Sequence, residues 1–280
     1  MNEEKRAAAQ PATDGSVEKL SLPRNIHMVP LNYISGFAVR PGLYDIYGAT
    51  AIPGGVNFTV YSYGATSIEL LLFHREAHEP FAVLPFPQHY RIGNVYSMIV
   101  FKLNIEEFEY AYRVDGPYEP EKGKLFDKTK YLLDPYARAV TGQSRWGDTT
   151  PRGQHYKARV VKDDFDWGDS RLPLIPMEDL VIYELHVRGF TKDGSAGVQY
   201  PGTFAGLMEK LPYLKSLGVN AIELMPIFEF DEMQDYREVD GQKLYNYWGY
   251  NTVCFFAPNT SYTASTEYNR EGNELKNLIR

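Results

Sequence analysis

The sequence of 280 residues predicts a multidomain protein in which an all-β sandwich precedes a parallel α/β unit. The N-terminal half contains short runs of alternating apolar and polar residues, separated by turn residues and without a helical period. This pattern is typical of an antiparallel sandwich. The C-terminal half changes to strand, amphipathic helix and strand, which is the order of a βαβ unit. A cluster of aromatic residues, Tyr245–Thr252, lies downstream of the second of these strands.

Four segments follow from these changes in composition. Residues 1–35 mix Ala, Pro, Gly and charged residues with few large apolar side chains, so we predict a flexible tail there. Residues 36–141 are predicted to form the sandwich. Residues 142–178 are rich in Gly, Pro, Asp and Arg and are predicted to form an ordered linker, and residues 179–280 contain the α/β unit.

The predicted strands of the sandwich place apolar side chains at alternate positions, which directs one face of each strand toward a core. Turn residues at Ile52–Gly55 and near Gly64 separate the first of these runs from their neighbours. The strands are predicted at residues 56–61, 67–73, 94–101 and 108–114.

The α/β unit begins with Leu180–Val187, a nearly continuous apolar run that predicts a strand buried on both faces of a parallel sheet. Thr203 is placed to cap the helix that follows, Pro212 should bend or interrupt it, and Gly218 should end it. Residues 220–226 then form the second buried strand. The apolar face of the helix is predicted to contain Phe204, Leu207, Leu211, Leu214 and Leu217.

Composition and charge exclude several classes of partner. The net charge of −7 and the pI near 5.5 argue against nucleic acid and anionic membranes, which need clustered Lys and Arg. No segment is apolar for long enough to span a membrane, and residues 1–16 lack the apolar core of a secretion signal. The single cysteine, Cys254, lies in an apolar run and predicts a buried thiol in a reducing, cytoplasmic compartment. The acidic segment 163–169 misses the spacing of a calcium loop, so we predict no metal site and no cofactor.

The aromatic stretch Tyr245–Thr252 admits two interpretations. Its rings have apolar faces and polar edges, which suit the stacking of a flat amphipathic ligand such as a sugar ring. The same rings can instead fill a core beneath a long loop. Loops that follow the C-terminal ends of parallel strands are where such folds place their chemistry, and this position favours a ligand site.

Two further groups of polar residues near these strands are predicted to be structural. Glu184 and His186 fall on one face of the first strand, and we expect them to form a hydrogen-bonded pair. An acidic run follows the second strand and is predicted to be a solvated face rather than a catalytic dyad. This run consists of Glu229, Asp231, Glu232 and Asp235.

Several of these motifs together resemble a known family. Three of them, Val181–Thr191, Gly218–Pro226 and Tyr247–Asn251, resemble the opening of the alpha-amylase superfamily barrel, of the isoamylase and glycogen-debranching type. Another three resemble the β-sandwich glycan-binding module that precedes that barrel, namely Tyr47–Thr50, Gly54–Phe58 and Tyr112–Tyr118. The resemblance covers residues 37–280 and implies an immunoglobulin-like sandwich followed by about the first two strands of a (β/α)8 TIM barrel, an incomplete N-terminal part of the catalytic domain.

The resemblance implies a retaining hydrolase of α-1,6 branch points, with an α-glucan such as glycogen or amylopectin as partner. Such enzymes use two carboxyl groups about 5–5.5 Å apart. In that family these groups come from later barrel strands, so no residue up to Arg280 is assigned a catalytic role and the chain alone is expected to be inactive. Tyr250 matches the tyrosine that stacks against the glucose at the cleavage subsite, and Trp248 and Asn251 flank it as further substrate-binding residues. The alternatives are a non-catalytic α-glucan-binding protein, or the front half of a glucan branching or trehalose-releasing enzyme.

Overall fold

The structure, a computed structural model, describes residues 28–141, 146–147, 156–234, 236–265 and 267–280. In its N-terminal half, two antiparallel sheets pack face to face. Most of the predicted tail lies outside the described residues, although residues 32–34 form the first strand. The strands of this half are β1 (Asn32–Ile34), β2 (Phe37–Pro41), β3 (Gly48–Ile52), β4 (Gly55–Tyr61), β5 (Ser67–His74), β6 (Ala82–Pro85), β7 (Arg91–Ile92), β8 (Val95–Phe101), β9 (Phe108–Asp115), β10 (Tyr118–Glu119), β11 (Lys124–Leu125), β12 (Val140–Thr141) and β13 (Lys157–Ala158).

One sheet has the strand order β1-β2-β8-β4-β3, with β7 paired to β8, and the other has the order β12-β13-β9-β5-β6. Apolar side chains at alternate positions of both sheets meet in one core. Phe58 of β4 contacts Tyr110 of β9 edge to face, with ring centroids 5.2 Å apart. The predicted sandwich is therefore confirmed, and its four predicted strands correspond to β4, β5, β8 and β9.

Part of the segment predicted as a linker belongs to the second sheet. Ala158 of β13 pairs with Tyr110 of β9, and Lys157 forms a buried ion pair with Glu109 at 3.0 Å. Lys157 also donates a hydrogen bond of 2.6 Å to the carbonyl of Ala77. The sandwich is thus completed by residues that follow the predicted boundary at residue 141.

The C-terminal half contains a βαβ unit in which β14 and β15 pair in parallel, with Ile182 opposite Ala221 and Leu185 opposite Leu224. The helices between these strands pack against one apolar cluster. Within the described residues, no helix combines the length and the hydropathy that crossing a bilayer requires. The elements are β14 (Ile182–Leu185), α1 (Val187–Thr191), α2 (Phe204–Glu209), α3 (Leu211–Ser216), β15 (Ala221–Leu224), β16 (Phe228–Phe230), β17 (Arg237–Val239), β18 (Gln242–Leu244), β19 (Thr252–Pro258) and α4 (Asn273–Ile279), and 3₁₀ turns lie at Gln88–Tyr90, Pro120–Lys122, Met177–Asp179, Gly194–Ala196 and Thr260–Tyr262.

The predicted single helix is divided into α2 and α3 at Lys210. The hydroxyl of Thr203 caps α2 by accepting a hydrogen bond of 3.1 Å from the amide of Gly206. Pro212 lies in the first turn of α3, where its missing N–H costs no intrahelical bond. Gly218 follows α3 with a φ of +83°, the left-handed conformation that glycine adopts readily. Leu217 is 52% exposed, so it does not belong to the buried face.

The prediction that the first parallel strand is buried on both faces is wrong for this chain. Ile182 is 56% exposed and Tyr183 is 38% exposed, whereas Leu185 is buried. A parallel strand is covered on both faces only where helices and neighbouring strands lie over it. In the described residues the sheet has two strands, and of the residues of β14 only Leu185 belongs to the buried cluster that packs against the helices.

The two halves are joined by buried contacts far apart in sequence. Cys254 of β19 is buried, as predicted, and its thiol donates to the carbonyl of Ala137 at 3.1 Å. The buried side chain of Asn269 donates to the carbonyl of Ile105 at 2.9 Å and to that of Val160 at 2.6 Å. Asn269 adopts a φ of +68°, in the left-handed region that asparagine tolerates better than most residues. These bonds fix the C-terminal segment against the edge of the sandwich.

Candidate functional site

An open pocket of about 770 Å³ lies at the aromatic stretch, which follows β15, β16 and a hairpin at the C-terminal side of the parallel strands. Two rings project from it, since Trp248 is 55% exposed and Tyr250 is 69% exposed. The described residues contain no cluster of three or more His, Cys, Asp or Glu side chains placed to hold a metal ion. The pocket is lined by Arg237, Leu244, Tyr245, Asn246, Tyr247, Trp248, Tyr250 and Asn251, and no carboxylate is among them.

Gly249 forms the floor between the two exposed rings. It is buried and has a φ of +78°, and a Cβ at this position would lie 2.6 Å from the ring of Phe230. The amide of Gly249 donates to the side-chain oxygen of Asn246 at 3.3 Å, and the amide of Asn246 donates to the carbonyl of Glu232 at 2.9 Å. Only glycine allows the chain to approach Phe230 this closely while its neighbours turn outward.

His186 connects the end of β14 to the aromatic stretch. Its ring is stacked on that of Tyr247, with centroids 4.1 Å apart and planes at 9°. Its Nδ1 accepts a hydrogen bond of 3.0 Å from the amide of Gly189, so the proton of the neutral imidazole lies on Nε2. Nε2 then donates to the carbonyl of Tyr247 at 2.7 Å. The predicted pairing of His186 with Glu184 is therefore wrong, because both ring nitrogens bond to other groups and Glu184 is exposed.

Burial favours the neutral form of His186 beneath the pocket. It lowers the pKa of His186 below its usual value, and the nearby Arg188 guanidinium lowers it further. That guanidinium lies 4.6 Å from the ring centroid of Trp146. Trp146 in turn stacks on Tyr262, with centroids 6.1 Å apart, and meets Phe230 edge to face at 5.8 Å. A layer of aromatic rings thus supports the exposed pair from below.

The prediction of a solvated acidic face is wrong for two of its members. Glu229 is 1% exposed and Glu232 is fully buried, whereas Asp231 is half-buried and Asp235 lies outside the described residues. Burial raises the pKa of Glu229 to about 8 and that of Glu232 to about 7. Glu229 accepts a hydrogen bond of 2.8 Å from the amide of Thr260. The phenylalanines that flank Glu229 in the sequence were the available signal for a strand, β16, at this position.

The hairpin of β17 and β18 beside the pocket was also missed. Asp240 and Gly241 have φ values of +51° and +75°, so the loop is a two-residue turn of the type that matches strand twist. Arg237 and Leu244, which line the pocket, are paired across this hairpin. The Asp-Gly dipeptide was the sequence signal that could have revealed the hairpin.

Comparison with known families and proteins agrees with this arrangement. The family described as carbohydrate-binding module 48 (isoamylase N-terminal domain) matches residues 46–137. The alpha amylase catalytic domain family matches residues 145–256, a range that ends within β19 and includes the whole aromatic stretch.

The chain is similar to curated proteins of plants and bacteria. It is 40% identical to Isoamylase 1, chloroplastic, of Oryza sativa subsp. japonica, over 90% of this chain and 33% of the relative. It is 33% identical to the Glycogen operon protein GlgX homolog of Mycobacterium tuberculosis (strain ATCC 25618 / H37Rv), over 86% of this chain and 35% of the relative. The chain therefore spans about a third of the length of these relatives.

Among solved structures, a pullulanase from Anoxybacillus sp. LM18-11 complexed with maltotetraose is 26% identical. It has a TM-score of 0.63, over 86% of this chain and 33% of that chain. A carbohydrate-binding module followed by the start of an alpha-amylase domain is thus indicated by the family matches, and the fold agrees with this order. The chain matches a carbohydrate-binding module 48 family and the alpha amylase catalytic domain family in that order, and it corresponds to the N-terminal portion of isoamylase-type proteins.

Proposed function

We propose that this chain supplies the glucan-stacking part of an enzyme that hydrolyses α-1,6 branch points of glycogen or starch-like glucans with retention of configuration. The observation that carries the proposal is the pair of exposed rings, Trp248 and Tyr250, in an open pocket of the matched alpha-amylase domain. The isoamylase relatives and the maltotetraose complex of the pullulanase support an α-glucan as the ligand.

The chemistry of the pocket suits a neutral sugar chain. A pyranose presents an apolar face to an aromatic ring and hydroxyl groups at its rim. Trp248 and Tyr250 supply such rings, and Asn251 and Arg237 supply polar groups at the edge of the pocket. We infer that these groups orient a glucose unit without taking part in bond cleavage.

We infer that the pocket binds a glucan without supplying the groups that cleave it. Retaining glycosidases need two carboxyl groups about 5–5.5 Å apart on either side of the scissile bond. Among the residues that the structure describes, no Asp or Glu lines the pocket. Residues 1–280 as an isolated polypeptide are therefore proposed to bind α-glucan and not to cleave it. The same observation favours the second candidate function, a non-catalytic α-glucan-binding protein, which differs from the first in needing no further catalytic part.

The experiment is a paired assay of the purified chain. Binding of maltotetraose is measured by titration calorimetry, and release of reducing ends from amylopectin and glycogen is measured in parallel. We expect binding without release. Release above that of a heat-inactivated sample would contradict the proposal that the isolated chain does not cleave glucan. Absence of binding to maltotetraose would contradict the glucan-binding function.

Replacing Tyr250 by alanine is expected to weaken maltotetraose binding about tenfold. A stacked ring contributes roughly 0.5–1.5 kcal/mol beyond the area that it buries, and 1.4 kcal/mol corresponds to about a factor of ten in Kd. Tyr250→Phe keeps the ring and should bind within about threefold of the original chain. Tyr213→Ala is the matched control, since Tyr213 is 52% exposed on α3 and does not line the pocket. Equal loss in Tyr250→Ala and Tyr213→Ala would place the binding site elsewhere.

A further inference from the structure

His186 connects the end of β14 to the aromatic stretch. Its side chain makes both a hydrogen bond to the backbone of the stretch and a ring contact with Tyr247. Nε2 donates to the carbonyl of Tyr247, which precedes Trp248, and the two rings are stacked in parallel. On the other side, Nδ1 caps α1 by accepting from the amide of Gly189. The hydroxyl of Tyr247 also lies against Gly189, where a Cβ would collide with it. The position of the stretch therefore depends on the orientation of this imidazole.

The hydrogen bonds of His186 are compatible with one protonation state. The neutral ring has one acceptor nitrogen and one donor nitrogen, and each meets a group of the opposite kind. Protonation would turn Nδ1 into a donor that faces the amide N–H of Gly189 at 3.0 Å. Two donors at this distance repel each other, so protonation would break the capping bond to Gly189 and disturb the ring orientation on which the bond to Tyr247 depends.

The groups around His186 do not compensate for a second positive charge. Arg188, on α1, is already a cation close to it. The ring of Tyr247 is stacked on the imidazole, and the hydroxyl of Tyr262 lies 3.2 Å from Nε2. Glu229 and Glu232 interact electrostatically with Tyr262, neither is a described hydrogen-bond partner of His186, and burial raises the pKa of both carboxyl groups. Glu184, on β14 two residues before His186, is exposed to solvent. An imidazolium here would be buried without a described carboxylate hydrogen-bonded to either ring nitrogen.

We propose that His186 is a positioning residue of the glucan-stacking pocket and that it acts only as the neutral imidazole with its proton on Nε2. It holds Tyr247, and through the backbone it holds Trp248 and Tyr250 in the geometry that accepts a sugar ring. Binding then depends on pH through a group that does not touch the glucan. This inference rests on the proposed function and adds a regulatory property to the same site.

Two substitutions separate the two nitrogens of the imidazole. His186→Gln places an amide donor near the position of Nε2 and does not titrate, so it should preserve the bond to Tyr247 at every pH. His186→Asn keeps an acceptor near the position of Nδ1 for the Gly189 amide but cannot reach Tyr247. His74→Gln is the matched control, because His74 also stacks on an aromatic ring, Phe81, at the end of β5 in the sandwich.

The test measures maltotetraose binding at about pH 7.5 and about pH 5, with circular dichroism to verify folding at both. The original chain and His74→Gln should bind about tenfold more weakly at the lower pH. His186→Gln should bind within about threefold of the original chain at the higher pH and should not weaken at the lower pH. His186→Asn should bind about tenfold more weakly at both. An acid loss that persists in His186→Gln, or an original chain with equal affinity at both pH values, would overturn the proposal.

A readout without ligand separates this inference from the proposed function. Amide hydrogen exchange of residues 245–251, corrected for the intrinsic effect of pH, reports whether the stretch is held in place. Faster corrected exchange at about pH 5 in the original chain and unchanged exchange in His186→Gln would support the role of His186 even if maltotetraose did not bind. Exchange that is independent of both pH and residue 186 would overturn that role even if maltotetraose bound tightly.

Discussion

Phe230→Ala is expected to lower the free energy of unfolding of the C-terminal half by about 3–5 kcal/mol and to abolish glucan binding at the pocket. The ring of Phe230 is fully buried and lies edge to face with Trp146 at 5.8 Å and with Tyr262 at 6.2 Å. It also supports Gly249 directly from below. Removing it leaves a cavity that these large rings can fill only by moving, and the exposed pair above would move with them.

Urea denaturation followed by tryptophan fluorescence measures the loss of stability, and calorimetry measures the loss of binding. Phe255→Ala is the matched control, because Phe255 lies on the adjacent strand β19 and is 63% exposed. Its effect on unfolding should stay within about 0.5 kcal/mol. A Phe230→Ala protein as stable as Phe255→Ala would show that the ring layer does not support the pocket.

Stability is expected to decrease as the pH rises from about 5 to about 8, by an amount on the order of 6 kcal/mol. Burial raises the pKa of Glu229 to about 8 and that of Glu232 to about 7, both above the usual value of 4.5. A carboxyl group with a raised pKa in the folded state stabilises that state fully below its unfolded pKa, and this contribution is lost as the pH rises through the folded pKa. Asp134, whose pKa burial raises to about 6, acts in the same direction.

The geometry around Ser261 supports the neutral form of Glu232. The hydroxyl oxygen of Ser261 lies 3.0 Å from Oε1 of Glu232 and 2.5 Å from Oδ1 of Asn259. Oδ1 of Asn259 is identified as the oxygen because it accepts from the amide of Ser261 at 2.9 Å. One hydroxyl proton cannot serve both acceptors, whereas a protonated Glu232 donates to Ser261, which then donates to Asn259.

The measurement is the free energy of unfolding in urea at about pH 5 and about pH 8. Glu229→Gln and Glu232→Gln replace each acid by a neutral amide and should flatten the pH dependence, and the double substitution should remove most of it. Glu184→Gln, at an exposed glutamate, is the control and should leave the slope unchanged. A chain that is equally stable at both pH values would mean that the two glutamates are ionised throughout.

The sequence predicted most of the fold where the pattern of apolar residues was regular. The alternation within β4 and β9 places one face toward the core, and the switch to the βαβ pattern at Leu180 locates β14 and β15. It did not predict β13, because two residues are too short for a period to be visible. Exposure was also predicted from charge. This prediction was wrong for Glu229 and Glu232, because the neighbouring strand and turn bury both carboxyl groups.

The candidate site was predictable in composition but not in its supports. The aromatic cluster and the family motif identified Trp248, Tyr250 and Asn251, and the structure places all three in one pocket. Their role in binding stays a prediction, as does the reducing, cytoplasmic compartment. The partner of His186 lies 61 residues away in the sequence, so no local spacing could reveal that the histidine holds the cluster instead of pairing with Glu184.

The hydrogen bonds from Asn269 to Ile105 and Val160 have a consequence for biosynthesis. The carbonyl of Ile105 is 164 residues upstream of the amide that satisfies it, and the carbonyl of Val160 is 109 residues upstream. While the polypeptide emerges from the ribosome, both carbonyls remain without this donor until residue 269 has left the exit tunnel. The sandwich sequence is translated long before residue 269, so the nascent chain passes through a period in which the turn between β8 and β9 and the segment after β13 lack their C-terminal partner and remain open to chaperones or to a neighbouring nascent chain.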